Sequence, residues 1–122
     1  MNRKSIGTEG EHQAAEYMEA RGFRTLERNF RCRQGEIDII GMHEGYLVFV
    51  EVKYRTGYGK GSAAQAVGTE KQRRICRAAD YYRYARKLGE DTCVRYDVVA
   101  IQGKDIQWIQ NAFPHIYAFG NR

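Results

Sequence analysis

The chain has 122 residues, 20 Lys plus Arg against 15 Asp plus Glu, a formal net charge of +5, and 43% hydrophobic and 12% aromatic residues. These values predict one packed domain over residues 1–122 and exclude disorder as the whole answer. No apolar run approaches the ~20 residues of a membrane span, and no apolar signal region follows the first four residues, so a soluble, cytoplasmic protein without a membrane partner is expected.

In chain order, residues 5–21 read as a helix rich in Glu and Ala, with Gly22 where a C-cap glycine belongs. Residues 23–30 are a weaker strand candidate, followed by a short basic segment over 31–34. Residues 36–40 and 46–54 alternate polar and apolar side chains and predict two strands, with 41–45 as the turn between them. Residues 56–62 form a glycine-rich loop that lacks the spacing of a phosphate-binding P-loop. A long helix is expected over 63–88, ended by Gly89, then strands over 93–101 and 106–109. The order α-β-β-β-α-β-β predicts an α/β domain, a mixed sheet of about five strands flanked by helices. Cys32, Cys76 and Cys93 are odd in number and lack C-x-x-C spacing, which speaks against a disulfide scaffold or a zinc ribbon. His12, His43 and His115 form no metal spacing and read as surface or turn residues.

The strongest chemical signal is Gly35-Glu36-Ile37-Asp38-Ile39-Ile40 followed by Val50-Glu51-Val52-Lys53. Strand alternation puts Glu51 and Lys53 on one face and Val48, Val50 and Val52 on the other. With residues 42–45 as a four-residue loop, Ile37 faces Val50 and Ile39 faces Val48. Asp38 then lies diagonal to Glu51, within ~7–8 Å between Cβ atoms, so Asp38, Glu51 and Lys53 converge. Two adjacent carboxylates repel unless a hard divalent cation such as Mg²⁺ or Mn²⁺ lies between them. Such an ion neutralises phosphate charge and lowers the pKa of a bound water, which a nearby lysine orients. The alternative is a surface salt bridge, worth ~0–1 kcal/mol.

Two further residues carry charge on inner faces. Glu11 shares a helical stripe with Gly7, Ala14, Ala15 and Met18, so its carboxylate is expected to be paired, metal-bound or protonated, or else to meet the helix dipole. Lys71 shares one with Val67, Ile75 and Ala78, as a phosphate-reaching group or as a lysine snorkelling at the stripe's edge. Gln65, one turn earlier, is a weaker candidate for a hydrogen bond at the site. Residues 71–87 hold seven Lys and Arg, Arg74 among them, with Tyr81, Tyr82 and Tyr84 interleaved. That density permits phosphate contacts and base stacking, although a solvated face with core tyrosines explains most of it. Arg28, Arg31, Arg33, Arg55 and Lys60 flank the acidic cluster in sequence and are candidate nucleic-acid contacts.

These motifs, G-E-I-D-I-I and V-F-V-E-V-K with R-N-F-R upstream and N-A-F near the end, resemble the YraN family of small bacterial proteins. That family is regarded as predicted endonucleases with a PD-(D/E)xK, restriction-endonuclease-like core, related to archaeal Holliday-junction resolvases. The resemblance covers essentially the whole chain, although Ile37 stands where the motif's name has Pro. It implies Asp38 and Glu51 as metal ligands, Lys53 as the catalytic lysine, and Glu11 as the acidic residue that resolvases draw from their first helix. It also implies Mg²⁺ or Mn²⁺, a DNA substrate that includes branched or structured forms, and a homodimer to match paired strands. Two other classes stay open: a non-cleaving nucleic-acid-binding module that keeps the fold, and a protein-interaction domain with dispersed acids.

Overall fold

The computed structural model describes residues 3–54 and 67–117, with residues 3–8 by backbone alone. The expected order is found: α1 (Arg3–Glu19), β1 (Arg24–Cys32), β2 (Gly35–His43), β3 (Tyr46–Tyr54), α2 (Thr69–Ala85), β4 (Val94–Gln102) and β5 (Asp105–Phe113). The strands form one sheet in the order β1-β2-β3-β4-β5. It is mixed, because β3 and β4 run parallel while every other neighbouring pair is antiparallel. Antiparallel neighbours are joined by short turns, whereas parallel strands need a crossover, and α2 lies on it. The glycine-rich segment and the first turn of the expected second helix fall outside the described residues. Among the described residues, no helix is long and apolar enough to cross a membrane.

Alternation along the central strands builds two cores. Val48 and Val50 join Ile39, Val99 and Ile101 beneath Ala14, Ala15 and Met18 of α1. Leu47 and Phe49 join Ile40, Tyr96 and Val98 beneath Ile75, Ala78, Ala79 and Tyr82 of α2. The helices therefore cover opposite faces, which is why β3 and β4 are apolar on both. Tyr82 is a core residue set edge-on to Phe30 and Phe49. Tyr81 and Tyr84 are exposed, contrary to their reading as core tyrosines, since they lie off the buried stripe. Of the cysteines, only Cys76 is fully buried, and all three are free.

The β2–β3 turn differs from the expectation. It has two residues, Glu44 and Gly45, both at positive φ (51° and 84°), as a type I′ hairpin turn requires. His43 pairs with Tyr46, and Ile39 pairs with Val50 rather than Val48. The slip is two residues, so each side chain keeps its face. Ile37 departs from the expected row. It packs in the α2-side core, whereas Ile39 packs under α1. The β1–β2 register skips the Asn29/Asp38 position, where Asn29 adopts a left-handed φ of 55°, and the alternation is interrupted there. His43 is buried rather than at the surface, with Nδ1 2.8 Å from Arg95. β5 runs to Phe113, beyond the expected Ile109, because the Asp97 carboxylate accepts the Asn111 N–H where the strand bulges.

Candidate active site

The corrected register places Asp38 across from Glu51 instead of diagonal to it. The paired β2–β3 register stops at Ile39–Val50, and the Asp38 carboxylate takes up the freed Val52 N–H at 2.8 Å. That hydrogen bond fixes Asp38 between two strands that have begun to part. Glu51 is 7% exposed and hydrogen-bonded to Asp38. Its carboxyl is pushed up to about 8, first by burial and then by the hydrogen bond and charge of Asp38, while Lys71 pulls it down.

The cation beside Glu51 is Lys71, whose Nζ lies 3.2 Å from Oε2. Lys71 is itself exposed, with 46% of its side chain accessible, so it stands at the edge of the stripe of buried Ile75 and Ala78 as a snorkelling lysine would; Val67, also buried, lies before α2 begins at Thr69 rather than on it. Lys53 lies two residues along β3 from Glu51, half-buried, and among the described residues it makes no ion pair. Among the described residues, the alternative of a surface salt bridge from Lys53 to Glu51 or Asp38 is therefore not found.

Glu11 reaches the same region from α1. Gly10 makes the approach possible, because a side chain there would run into the Tyr54 ring at the end of β3. Glu11 is 8% exposed, and its Oε2 is buried without a hydrogen-bond partner. Burial raises its pKa first, and Asp38 and Glu36 add to the rise, while Asn29 and Arg28 oppose it. Oxygens of Glu11, Glu36 and Asp38 all lie within 4.8 Å of one another. Glu36 is the acid that the sequence reading quoted without assigning a role, although alternation already put it on the face of Asp38.

Of the expected basic contacts, Arg28 is half-buried on β1 and faces Glu11. Arg31 is exposed, 3.6 Å from Glu36, and Arg33 is exposed in the β1–β2 turn. Lys71 and Arg74 line a cavity of about 200 Å³ with Gly35, Glu36 and Ile75. A Cβ on Gly35 would come within 3.2 Å of the Arg74 carbonyl oxygen, so this glycine lets α2 lie close over the turn. Arg55, Lys60 and Gln65 lie outside the described residues.

The donor set is all carboxylate oxygen, with one buried oxygen unpartnered, which fits a hard divalent ion such as Mg²⁺ or Mn²⁺. Without a metal, the raised Glu51 pKa sets a pH dependence. The folded protein holds this proton more tightly than the unfolded chain, so the stabilisation is complete below about pH 4.5 and is lost as pH rises through about 8. Glu51→Gln has no such loss. In chelator, its unfolding free energy gains on the unsubstituted protein from pH 5 to pH 9 by an amount on the order of a few kcal/mol. Urea unfolding at each pH measures the difference, and parallel curves would refute it.

The family model described as "Uncharacterised protein family UPF0102" matches residues 10–101. The chain is 49% identical over 113 residues to a UPF0102 protein of Lachnoclostridium phytofermentans, covering 93% of this chain and 96% of the relative. It is 43% identical over 121 residues to one of Geobacter metallireducens, covering 96% and 98%. With one of Hahella chejuensis the identity is 43% over 111 residues, covering 88% and 89%.

Proposed function

We propose, for this chain, which belongs to protein family UPF0102, the activity of a metal-dependent endonuclease that hydrolyses DNA phosphodiester bonds. Its substrates in this reading include branched or structured DNA, as the resemblance to the YraN family and to junction resolvases implies. The observation that carries the reading is the Asp38–Glu51 pair, two carboxylates hydrogen-bonded to each other in the gap between β2 and β3, with Glu51 buried. Burying two like charges together is costly, and the cost is recovered where a divalent ion binds between them.

In this reading Asp38 and Glu51 hold the ion, with Glu11 contributing from α1. When bound, the ion supplies charge for the phosphate oxygens and lowers the pKa of a water. Lys53, which makes no ion pair among the described residues, stands on β3 two residues from Glu51, placed in this reading to orient that water or to meet charge developing on the phosphate. Lys71 and Arg74, lining one cavity beside Glu36, approach the strand's phosphates together with Arg31 and Arg33. A second copy of the chain would match the paired strands of a branched substrate.

A cleavage screen over linear, flapped, four-way-junction and single-stranded DNA and RNA, with Mg²⁺ and with Mn²⁺, tests the proposal. Metal-dependent cuts in at least one DNA form are expected. One observation favours a second reading: Lys71 already gives Glu51 a counter-charge without metal. DNA binding without cleavage under every condition would replace the nuclease with a non-cleaving nucleic-acid-binding module.

A further inference from the structure

The basic residues of α2 differ in what they meet. Lys71 meets Glu51, Arg73 meets Glu70, Arg83 meets Asp80 and Arg86 meets Glu27. Arg74 and Arg77 are exposed, and among the described residues neither makes an ion pair. The tyrosines divide as well. Tyr82 is buried, whereas Tyr81 is 43% and Tyr84 81% exposed. Tyr81 is held in place by Phe30 of β1, the two rings stacked with centroids 6.4 Å apart. Tyr84 has no ring partner among the described residues. Positions 74, 77, 81 and 84 follow one another at three or four residues, so they share one face of α2, a stripe about 15 Å long at 1.5 Å per residue. Arg74 begins the stripe in the cavity that Lys71 and Glu36 also line, and Lys71 reaches Glu51 from there. A single exposed tyrosine is ordinary. Here two of them continue a row of uncommitted guanidinium groups away from the candidate active site.

We infer that this stripe binds single-stranded DNA, and that the substrate carries an unpaired strand leaving the candidate active site along α2. Arg74 and Arg77 meet its phosphates, and Tyr81 and Tyr84 stack on its bases. The tyrosines decide between strand and duplex. Bases in a duplex stack on one another and leave no face for an outside ring, whereas an unpaired strand offers one at every base. The inference rests on the proposed function for the chemistry at the site. It narrows the branched or structured substrates of that reading to those with a single-stranded arm.

Fluorescence anisotropy of a labelled oligothymidylate and of a labelled duplex, titrated with the full chain in chelator, tests this without reference to cleavage. Tyr84→Ala is expected to weaken oligothymidylate binding about tenfold or more and duplex binding less than about twofold, and Tyr84→Phe to restore the former. Arg77→Ala is expected to weaken both and to lower the slope of log affinity against log salt by about one. Tyr84 and Arg77 are exposed, so these variants should fold, which circular dichroism checks. Oligothymidylate affinity unchanged in both Tyr84→Ala and Tyr81→Ala/Tyr84→Ala overturns the inference, as does an equal loss for strand and duplex. So does a Tyr84→Ala protein whose sedimentation changes while its strand affinity does not, which assigns the face to a second copy of the chain. Metal-dependent cleavage alongside any of these results leaves the proposed function standing. Strand binding lost in Tyr84→Ala, in a protein that cuts no DNA, supports the inference and removes that function. An unsubstituted protein that binds no DNA overturns both.

Discussion

Under the proposed nuclease reading, Asp38→Asn, Glu51→Gln and Lys53→Ala are each expected to lower phosphodiester cleavage by at least about 10²–10³-fold, the scale on which one preorganised charge at a transition state contributes. The fold survives all three, for different reasons. The amide introduced by Asp38→Asn retains an oxygen for the Val52 N–H. Glu51→Gln removes a carboxylate that burial and Asp38 already hold protonated up to about pH 8. Lys53 makes no ion pair among the described residues, so its truncation breaks none. The three also separate by mechanism. The carboxylate variants are expected to weaken Mn²⁺ binding together with rate, whereas Lys53→Ala is expected to lower the rate and leave Mn²⁺ affinity within about twofold. Cleavage rates at saturating metal, read beside direct Mn²⁺ titration, measure both quantities. Rates near that of the unsubstituted protein in any of the three would remove that residue from the proposed machinery, and in all three would remove the nuclease reading.

Much of this site is legible before any coordinates because strand alternation is a strict rule. Given β3 over 46–54, the opposite faces of Glu51 and Val50 follow, and in the structure Val50 packs in the α1-side core while Glu51 meets Lys71 of α2. The helical stripe of Glu11 with Ala14, Ala15 and Met18 likewise places that acid inward, whereas Lys71, at the edge of the stripe of Ile75 and Ala78, stays exposed while its ammonium reaches Glu51. Register is harder, because it depends on turn length. Glu44-Gly45 is a tight turn whose first residue is Glu rather than the Asn or Asp that usually marks a left-handed position. The interruption at Asn29/Asp38 is only faintly signalled, since Asn favours a positive φ more than most residues but here sits within a strand pattern, yet it separates Ile37 from Ile39. Least legible is a buried polar group formed by residues from three strands. His43 closes β2, Arg95 and Asp97 sit two apart on β4, and Trp108 lies on β5. Each looks ordinary in its own segment, and only the packing of all three strands makes them neighbours.

That group carries the largest stability effect expected here. Asp97 is 0% exposed. Its two oxygens accept four hydrogen bonds, from Arg95 Nε (2.9 Å), an Arg95 Nη (2.8 Å), Trp108 Nε1 (2.8 Å) and the Asn111 backbone N–H (2.9 Å). The same Arg95 Nη lies 2.8 Å from Nδ1 of His43. Asp97→Ala leaves the Arg95 guanidinium buried without its counter-charge and withdraws the acceptor that pins the β5 bulge. Removing one partner of a buried ion pair costs about 3–5 kcal/mol, a large share of the roughly 5–15 kcal/mol that holds a domain together. Urea unfolding should show the midpoint fall accordingly. Trp108 is the only tryptophan in the chain, so its emission reports the same event locally, shifting toward the wavelength of hydrated indole before the global transition. The double variant Arg95→Met/Asp97→Leu separates charge from shape. With both ions gone no charge is stranded, so it should recover part of the lost stability, while the Trp108 and Asn111 donors still lack an acceptor and keep recovery incomplete. A cost below about 1 kcal/mol for Asp97→Ala would show that β4 and β5 are held by their apolar contacts alone.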